Sequence, residues 1–148
     1  MTQKEATEKI KKYCAYQDRC QSEVRKKLHI YGLLIEEIDH IICELIEQNF
    51  INEERFAKHF VRGKFHQKNW GKIKIKQRLK QKKISDYCIK KGFQEINNEE
   101  YLEKLDLIIS KKSKELSNYN DFIKKQKIAK YAISKGYENH LVWDSLKV

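Results

Sequence analysis

The chain has 148 residues, no proline, five glycines, 36% charged residues and a formal net charge of +11. This length suits one ordinary domain, and no apolar run approaches the ~20 residues that a membrane helix requires. The mean hydropathy of −0.82 is low, but 11% aromatic residues argue against a disordered tail. The first residues contain no apolar signal core. We therefore expect a folded, basic, cytoplasmic protein that does not associate with membranes.

Apolar residues recur at helical spacing along almost the whole chain, which predicts nine helices and no strand. The first helix carries Ala6, Ile10 and Cys14, and the second extends to Tyr31 and stops at Gly32. The third ends near Asn49 and has a core face of isoleucines and leucines: Ile38, Ile41, Ile42, Leu45 and Ile46.

The middle of the chain continues the helical pattern. Asn52 is a predicted N-cap, and the helix after it has an apolar stripe formed by Phe56, Ala57, Phe60, Val61 and Phe65. A loop around Trp70 and Gly71 precedes a helix whose inward residues are Ile75 and Leu79, and Ser85 is the predicted cap of the next helix.

The final third follows the same plan. Asn98 is the predicted cap of a helix whose core face includes Tyr101, Leu102 and Leu105. The next helix ends at Gly136 and has one apolar stripe, formed by Phe122, Ala129, Ala132 and Ile133. A last short helix carries Leu141, Val142 and Leu146.

Internal similarity groups these helices in threes. The helix ends at Gly32, Lys83 and Gly136 correspond to one another, and the segment starting at Asn52 corresponds to the one starting at Asn98. We predict an all-α protein of three tandem three-helix repeats, 1–50, 51–96 and 97–148, that form an elongated, curved body. The alternative is a chance likeness among amphipathic helices.

The positive charge is concentrated in the middle repeat. Residues 51–95 hold fourteen basic and four acidic side chains, and no acid occurs from Arg55 to Lys83, whereas the flanking parts are nearly neutral. A basic face of this kind attracts phosphate groups or an acidic protein surface. The alternative is that these lysines are ordinary solvated surface, which leaves the missing acids unexplained.

The candidate binding residues are the basic side chains of this middle segment, namely Arg55, Lys58, Arg62, Lys64, Lys72, Lys74, Lys76, Arg78, Lys80, Lys82 and Lys83. Three rings nearby, those of Phe65, His66 and Trp70, are candidate stacking surfaces for nucleic-acid bases.

Catalytic chemistry is not indicated. The four cysteines form no CxxC pair, the five histidines show no metal-ligand spacing, and the chain has no glycine-rich phosphate loop. We expect reduced thiols, no bound metal, no cofactor and no enzymatic activity.

Several segments resemble the bacterial RecX family, which regulates the RecA recombinase. The resemblance is strongest at 52–62, which reads Asn-Glu-Glu-Arg-Phe-Ala and then Phe-Val-Arg, and continues through Gly71, Lys74-Ile75-Lys76, Leu79 and Lys82-Lys83-Ile84. Upstream, the order of Tyr13, Arg19, Glu23, Leu28 and Gly32 is similar to the family's first segment. Lys83 stands in place of the usual glycine, where a left-handed residue with a side chain is disfavoured by about 1 kcal/mol, so we expect this helix to end differently.

The resemblance implies a non-enzymatic protein that binds RecA, chiefly as its filament on DNA, and lowers its ATPase, strand-exchange and coprotease activities. It also implies roles in DNA repair, DNA recombination and the SOS response. We expect a monomer that in addition binds single- and double-stranded DNA without sequence preference, because its middle repeat is strongly basic. The alternative is a helical DNA-binding module that acts independently of RecA.

Overall fold

The computed structural model describes residues 1–147, and within them the chain forms nine α-helices and no strand. The helices are α1 (Gln3–Tyr16), α2 (Gln21–Ile30), α3 (Ile35–Glu47), α4 (Glu53–Lys68), α5 (Lys72–Gln81), α6 (Asp86–Phe93), α7 (Asn98–Glu115), α8 (Asp121–Ser134) and α9 (Asn139–Leu146). The prediction of an all-α fold with nine helices is confirmed.

The chain divides into two compact units. The first unit contains Met1–Phe60 and Leu79–Gly92, and the second contains Val61–Arg78 and the chain from Phe93 onward. Helices α4 and α5 therefore contribute residues to both units. The boundaries of three repeats, 1–50, 51–96 and 97–148, stay a prediction.

The core of the first unit is built from the apolar stripes of its helices. Ile10 of α1, Leu28 of α2 and Ile41 of α3 are fully buried against one another, and Ile51 closes the cluster before α4. Burial of such side chains stabilises the fold by about 1.5–3 kcal/mol each. The apolar periodicity of the sequence therefore identifies this core.

The core of the second unit is partly aromatic. Phe65 of α4, Tyr101 of α7 and Tyr137 after α8 are buried, and the rings of Tyr101 and Tyr137 stack with their centroids 5.2 Å apart. Leu105 and Ile75 complete the packing. Two of these aromatic residues are tyrosines, whose hydroxyl groups require hydrogen-bond partners in the core.

Four helices end in the same turn, at Gly32, Asn49, Lys83 and Gly136, and the internal similarity aligns all of these except Asn49. The turn residue has a positive φ of 82° at Gly32, 63° at Lys83 and 105° at Gly136. In each case the N–H of the turn residue donates to the carbonyl three residues earlier. The N–H of the next residue donates to the carbonyl five residues before it. This double hydrogen bond is the Schellman motif.

The expectation that α5 would end differently was wrong. Lys83 adopts the left-handed conformation that its glycine counterparts use, and its N–H donates to the Lys80 carbonyl at 2.9 Å. Ile84, the next residue, is buried and donates to the Leu79 carbonyl at 3.1 Å. These two hydrogen bonds and the burial of Ile84 offset the steric penalty of a lysine at positive φ.

The predicted N-caps at Asn52 and Ser85 are confirmed, because their side-chain oxygens accept the N–H of Arg55 at 2.9 Å and of Cys88 at 3.2 Å. The cap predicted at Asn98 was wrong by one residue. Asn97 is the cap and accepts from Glu100 N–H at 3.1 Å. An N-cap side chain accepts a hydrogen bond from the N–H of the third residue after it. Two adjacent asparagines therefore offer two possible start positions for the helix.

Four predicted core positions are exposed. Leu102, Ile46, Phe122 and Ile133 lie outside the packed faces, and Phe122 is 73% exposed. On α7 the buried residues are Tyr101 and Leu105, and burial on α8 starts only at Ile128. Helical periodicity marks a stripe along a helix, but it does not show how much of the stripe another helix covers.

Candidate binding surface

The eleven candidate basic residues are divided between the two units. Five belong to the first unit, namely Arg55, Lys58, Lys80, Lys82 and Lys83. Six belong to the second, namely Arg62, Lys64, Lys72, Lys74, Lys76 and Arg78. Each group is described within its own unit.

In the first unit, four of the five candidates form ion pairs. The pairs are Arg55 with Asp18 at 2.9 Å, Lys58 with Glu54 at 3.3 Å, Lys80 with Asp86 at 2.6 Å and Lys82 with Glu23 at 3.3 Å. Asp18, Glu23 and Asp86 lie outside the acid-free run of the sequence. Carboxylates that flank the run, together with Asp18 and Glu23 from far upstream, therefore pair with these cations, and each reduces the positive potential beside its partner.

Arg55 has a structural role in this arrangement. Its guanidinium donates to Asp18 Oδ1 and, at 3.1 Å, to the Asn49 carbonyl oxygen. The second oxygen of Asp18 faces Nδ1 of His59. A guanidinium with several fixed acceptors is pre-organised for its own unit, which leaves Arg55 with little capacity to bind a further anion.

In the second unit, three candidates surround one indole ring. Lys74 Nζ lies 4.5 Å from the Trp70 ring, Lys64 Nζ lies 4.9 Å away, and the guanidinium carbon of Arg78 lies 5.4 Å away. These distances fall within the range of cation–π contacts, which contribute about 0.5–1 kcal/mol each at exposed sites. We call Lys64, Trp70, Lys74 and Arg78 the Trp70 cluster.

The local sequence explains how the Trp70 cluster forms. Lys74 and Arg78 are four residues apart on α5 and so lie on one face of that helix. Lys64 is near the end of α4, and its carbonyl accepts the Trp70 N–H at 3.0 Å. Asn69, with φ 60°, reverses the chain between the two helices and brings the ring to all three cations.

Backbone hydrogen bonds between the Trp70 loop and the turn after α8 hold the loop in place. The N–H of Gly71 donates to the Lys135 carbonyl at 2.8 Å, and the N–H of Ile73 donates to the Gly136 carbonyl at 2.9 Å. A Cβ at Gly71 would lie 2.3 Å from the Gly136 backbone, so only glycine fits there. These contacts fix the start of α5 against the end of α8 within the second unit.

The buried tyrosines complete this attachment. Tyr101 Oη accepts the Lys72 N–H at 3.0 Å and donates to the Glu138 carboxylate. Tyr137 Oη donates to the Asn69 carbonyl at 3.1 Å. Burial raises the pKa of both phenols well above their usual range, and the Glu138 carboxylate raises it further, so both remain hydrogen-bond donors.

The positive charges of the Trp70 cluster lie close enough to repel one another. The pKa of Lys74 is lowered, first by burial and then by the charges of Arg78 and Lys135. Like charges held close together gain when an anion binds between them, because the anion relieves their repulsion. The cluster is therefore suited to bind an anionic group.

The other candidates of the second unit differ in their surroundings. Arg62 pairs with Glu95 at 2.5 Å, and Lys72 Nζ lies 4.6 Å from the Tyr101 ring. Lys76 is exposed and has no carboxylate partner within residues 1–147. Arg62 is thus held by a carboxylate of its own unit, whereas Lys72, like the cations of the Trp70 cluster, lies over an aromatic ring.

The stacking candidates have three different fates. Phe65 is fully buried against Tyr101 and presents no ring to a ligand, so its prediction as a stacking surface was wrong. The apolar stripe of α4 places it in the core. His66 is exposed and lies 3.3 Å from Glu100, whereas Trp70 is half-buried among the cations.

The sequence did not reveal the residues that position the site. Lys135, Gly136 and Tyr137 lie more than sixty residues after Trp70, and the sequence indicated only that a helix ends at Gly136. Gly71, next to the tryptophan, was the available signal for a close backbone approach. Its partner becomes evident only in the folded chain.

Other kinds of site are not indicated in the described chain. Within residues 1–147, no three histidine, cysteine or carboxylate side chains are placed to hold a metal ion. The same residues contain no helix that is both long enough and apolar enough to cross a membrane. All four cysteines are free, and Cys14 and Cys20 are buried.

Comparison with known proteins places the chain in a family. Residues 52–92 match the model of the second three-helix domain of RecX, and residues 99–146 match that of the third. The order of these matches confirms the prediction of tandem three-helix units.

Curated relatives and solved structures agree with this match. The regulatory protein RecX of Streptococcus uberis is 33% identical over 134 residues, which are 88% of this chain and 50% of that protein. That of Lactococcus lactis subsp. cremoris strain SK11 is 28% identical over 92% of this chain and 53% of its own length. The chain therefore spans about half the length of these relatives.

Two crystal structures share the fold. One, of a regulatory protein RecX, has a TM-score of 0.89 at 25% identity and covers 98% of this chain and 72% of that one. The other, RecX from Lactobacillus salivarius, has a TM-score of 0.88 at 23% identity and covers 98% and 94%. With both family models matched in order, the chain is a member of the RecX family of regulatory proteins.

Proposed function

We propose that this chain binds the RecA filament on DNA and inhibits its ATPase, strand-exchange and coprotease activities, and so modulates DNA repair and the SOS response. In this proposal the chain acts as a monomer in the cytoplasm and catalyses no reaction itself. Membership of the RecX family and the lack of any catalytic motif in the sequence support the proposal.

The Trp70 cluster is the observation that carries the proposal. It gathers three cations at one ring in a protein whose other candidate cations are mostly paired with carboxylates. The ring limits the motion of these long side chains. They therefore lose less conformational entropy when an anion binds than unrestrained lysines would. A filament offers suitable anions in its DNA phosphates and in acidic side chains of RecA.

The contact requires charge and reach rather than sequence recognition. Lysine and arginine bind phosphate oxygens through their N–H donors, and such contacts position a protein on a nucleic acid without reading its bases. Binding by this route weakens as salt increases, because each neutralised phosphate releases counterions. We propose Lys64, Lys74, Lys76 and Arg78 as the principal contacts.

Comparing the affinities for bare and RecA-coated single-stranded DNA tests this proposal. Fluorescence anisotropy of a labelled oligonucleotide, at about 50 and 200 mM salt, measures both. We expect clearly tighter binding to the coated DNA at the higher salt, together with a fall in the DNA-dependent ATPase of RecA. Equal affinities with unchanged ATPase would instead support the alternative, a basic DNA-binding module that acts independently of RecA.

A further inference from the structure

A small cavity in the second unit lies outside the basic segment that the sequence marks. Its volume is about 120 Å³, and it is enclosed by the end of α7, the end of α8 and Asn69. Such a volume holds a few water molecules or one phosphate group. Its charged lining residues are Lys111, Lys112, Glu115 and Lys135.

The lining carries an excess of positive charge, because it includes three lysines and one carboxylate. Lys112 is held in place by Glu115 at 3.2 Å and by the Tyr131 ring, which lies 4.5 Å from its Nζ. No carboxylate within residues 1–147 pairs with Lys111, which lines the cavity and is exposed to solvent. The carboxylate neutralises one lysine and leaves two positive charges for a ligand.

Lys135 links this cavity to the Trp70 cluster. Its backbone carbonyl accepts the Gly71 N–H at 2.8 Å, and its Nζ donates to the Lys68 carbonyl at 3.3 Å. An ammonium group has three N–H donors, so two remain for a ligand. The charge of Lys135 also lowers the pKa of Lys74, a member of the cluster. Lys135 thus lines the cavity and is hydrogen-bonded to the loop that carries Trp70, so the cavity and the cluster are neighbours in the second unit.

We propose that this cavity binds a phosphodiester group of single-stranded DNA, next to the nucleotide that contacts the Trp70 cluster. Lys111 and Lys135 donate to the phosphate oxygens, and Lys112 adds its charge from the side of Tyr131. The proposal rests on the proposed function, because it extends the same surface. It assigns part of the DNA contact to the third repeat, which has little net charge.

Binding of a short oligothymidylate to the full chain tests this site without RecA. The variant Lys111→Gln/Lys135→Gln removes two charges from the cavity. Lys111→Gln alone removes one exposed charge, whose ammonium group forms no hydrogen bond or ion pair that supports the fold within the described part of the chain. The matched control is Lys127→Gln/Lys130→Gln, which removes two charges from α8 outside the cavity. Circular dichroism and thermal unfolding show whether each variant is folded.

We expect the cavity double variant to bind about tenfold more weakly, with a salt slope reduced by about 0.7, which is the contribution of one phosphate contact on a single strand. Lys111→Gln is expected to show about half of each effect, and the control little change. Wild-type affinity and slope in a folded Lys111→Gln variant, or equal losses in the control, would overturn the cavity assignment. A low inorganic phosphate concentration that displaces the oligothymidylate at constant ionic strength would overturn it too, because the site would then prefer free phosphate.

These outcomes are separable from failure of the proposed function. Inhibition of the RecA ATPase is measured with the same variants and with Lys64→Gln/Lys74→Gln/Arg78→Gln, which loses inhibition if the proposed function is right. If the cavity variants bind oligothymidylate normally while inhibition still depends on the Trp70 cluster, only the cavity assignment fails.

Discussion

The basic residues of the two units look alike in the sequence and differ in the folded chain. In the first unit, Lys58, Lys80 and Lys82 each lie within 3.3 Å of a carboxylate. In the second, Lys64, Lys74 and Arg78 lie around the Trp70 ring. An excess of lysine along the chain is therefore a poor measure of binding capacity, because carboxylates outside the acid-free run, some near it and some distant in the sequence, pair with part of it.

The two units also differ in how their helix ends are held. The backbone hydrogen bonds of the turn at Lys83 stay within six residues, and Ser22 Oγ of the same unit donates to the Lys82 carbonyl at 2.9 Å. The turn at Gly136 is packed against Gly71, and this contact fixes the loop that carries Trp70. Damage to the second turn should therefore reach the candidate site, whereas changes at the first should affect stability alone.

The largest effect is expected from Gly71→Ala. The new methyl group would lie 2.3 Å from the Gly136 backbone, which cannot move without breaking two hydrogen bonds. We expect the free energy of unfolding to fall by about 3 kcal/mol, as measured by urea denaturation, and oligonucleotide binding to weaken with it.

Gly63→Ala is the matched control for this substitution. It makes the same chemical change inside α4, where a Cβ meets no atom within 4 Å. Alanine is the better helix former, so we expect a gain of about 0.5–1 kcal/mol. Similar losses at both positions would show that the contact between the two glycines is not what holds the loop.

A smaller effect, confined to stability, is expected at Lys83. Lys83→Gly removes the penalty of a side chain at φ 63° and should stabilise the fold by about 1 kcal/mol. Lys83→Ala removes the same charge but keeps the strained backbone, so its stability should stay near that of the wild type. Gly32→Ala, where only the φ of 82° is unfavourable, should destabilise by a similar amount. Thermal unfolding of the three variants checks these signs.

The smallest effect concerns pH. Burial raises the pKa of the Cys14 thiol from 9.0 to about 11. The folded state therefore holds its proton more tightly, and the stability this provides is full below pH 9 and is lost as pH rises from 9 towards 11. By pH 9 the loss is a few tenths of a kcal/mol. Urea denaturation between pH 8 and 10 should give a shallower decline for Cys14→Ala, and an unchanged decline would contradict this assignment.

The fold could be predicted from the sequence because its signals are local. Helical periodicity, caps at Asn52 and Ser85 and the recurring turn each depend on residues a few positions apart. The site could be predicted only as a charged segment. Which cations are paired depends on residues such as Asp18 and Glu23, and the position of Trp70 depends on Gly136. Helical periodicity does not indicate that these distant residues contact the basic segment.

The phenylalanine assigned to stacking illustrates the same limit. Phe65 and Trp70 are five residues apart, and both follow a basic stretch, yet one is core and the other lies at the surface. Phe65 is buried because it lies on the apolar stripe of α4. The position of Trp70 follows from the left-handed conformation of Asn69 before it. A list of aromatic residues near basic ones therefore identifies a region rather than a set of contacts.

The central claim is that the Trp70 cluster, rather than total charge, binds the RecA filament. The most direct test titrates RecA ATPase on single-stranded DNA with two triple variants, Lys64→Gln/Lys74→Gln/Arg78→Gln and Lys58→Gln/Lys80→Gln/Lys82→Gln. Both lose three positive charges. We predict that half-inhibition requires about 100-fold more of the first variant, from about 1 kcal/mol for each lost contact, and less than about threefold more of the second. Equal shifts for the two variants would contradict the claim.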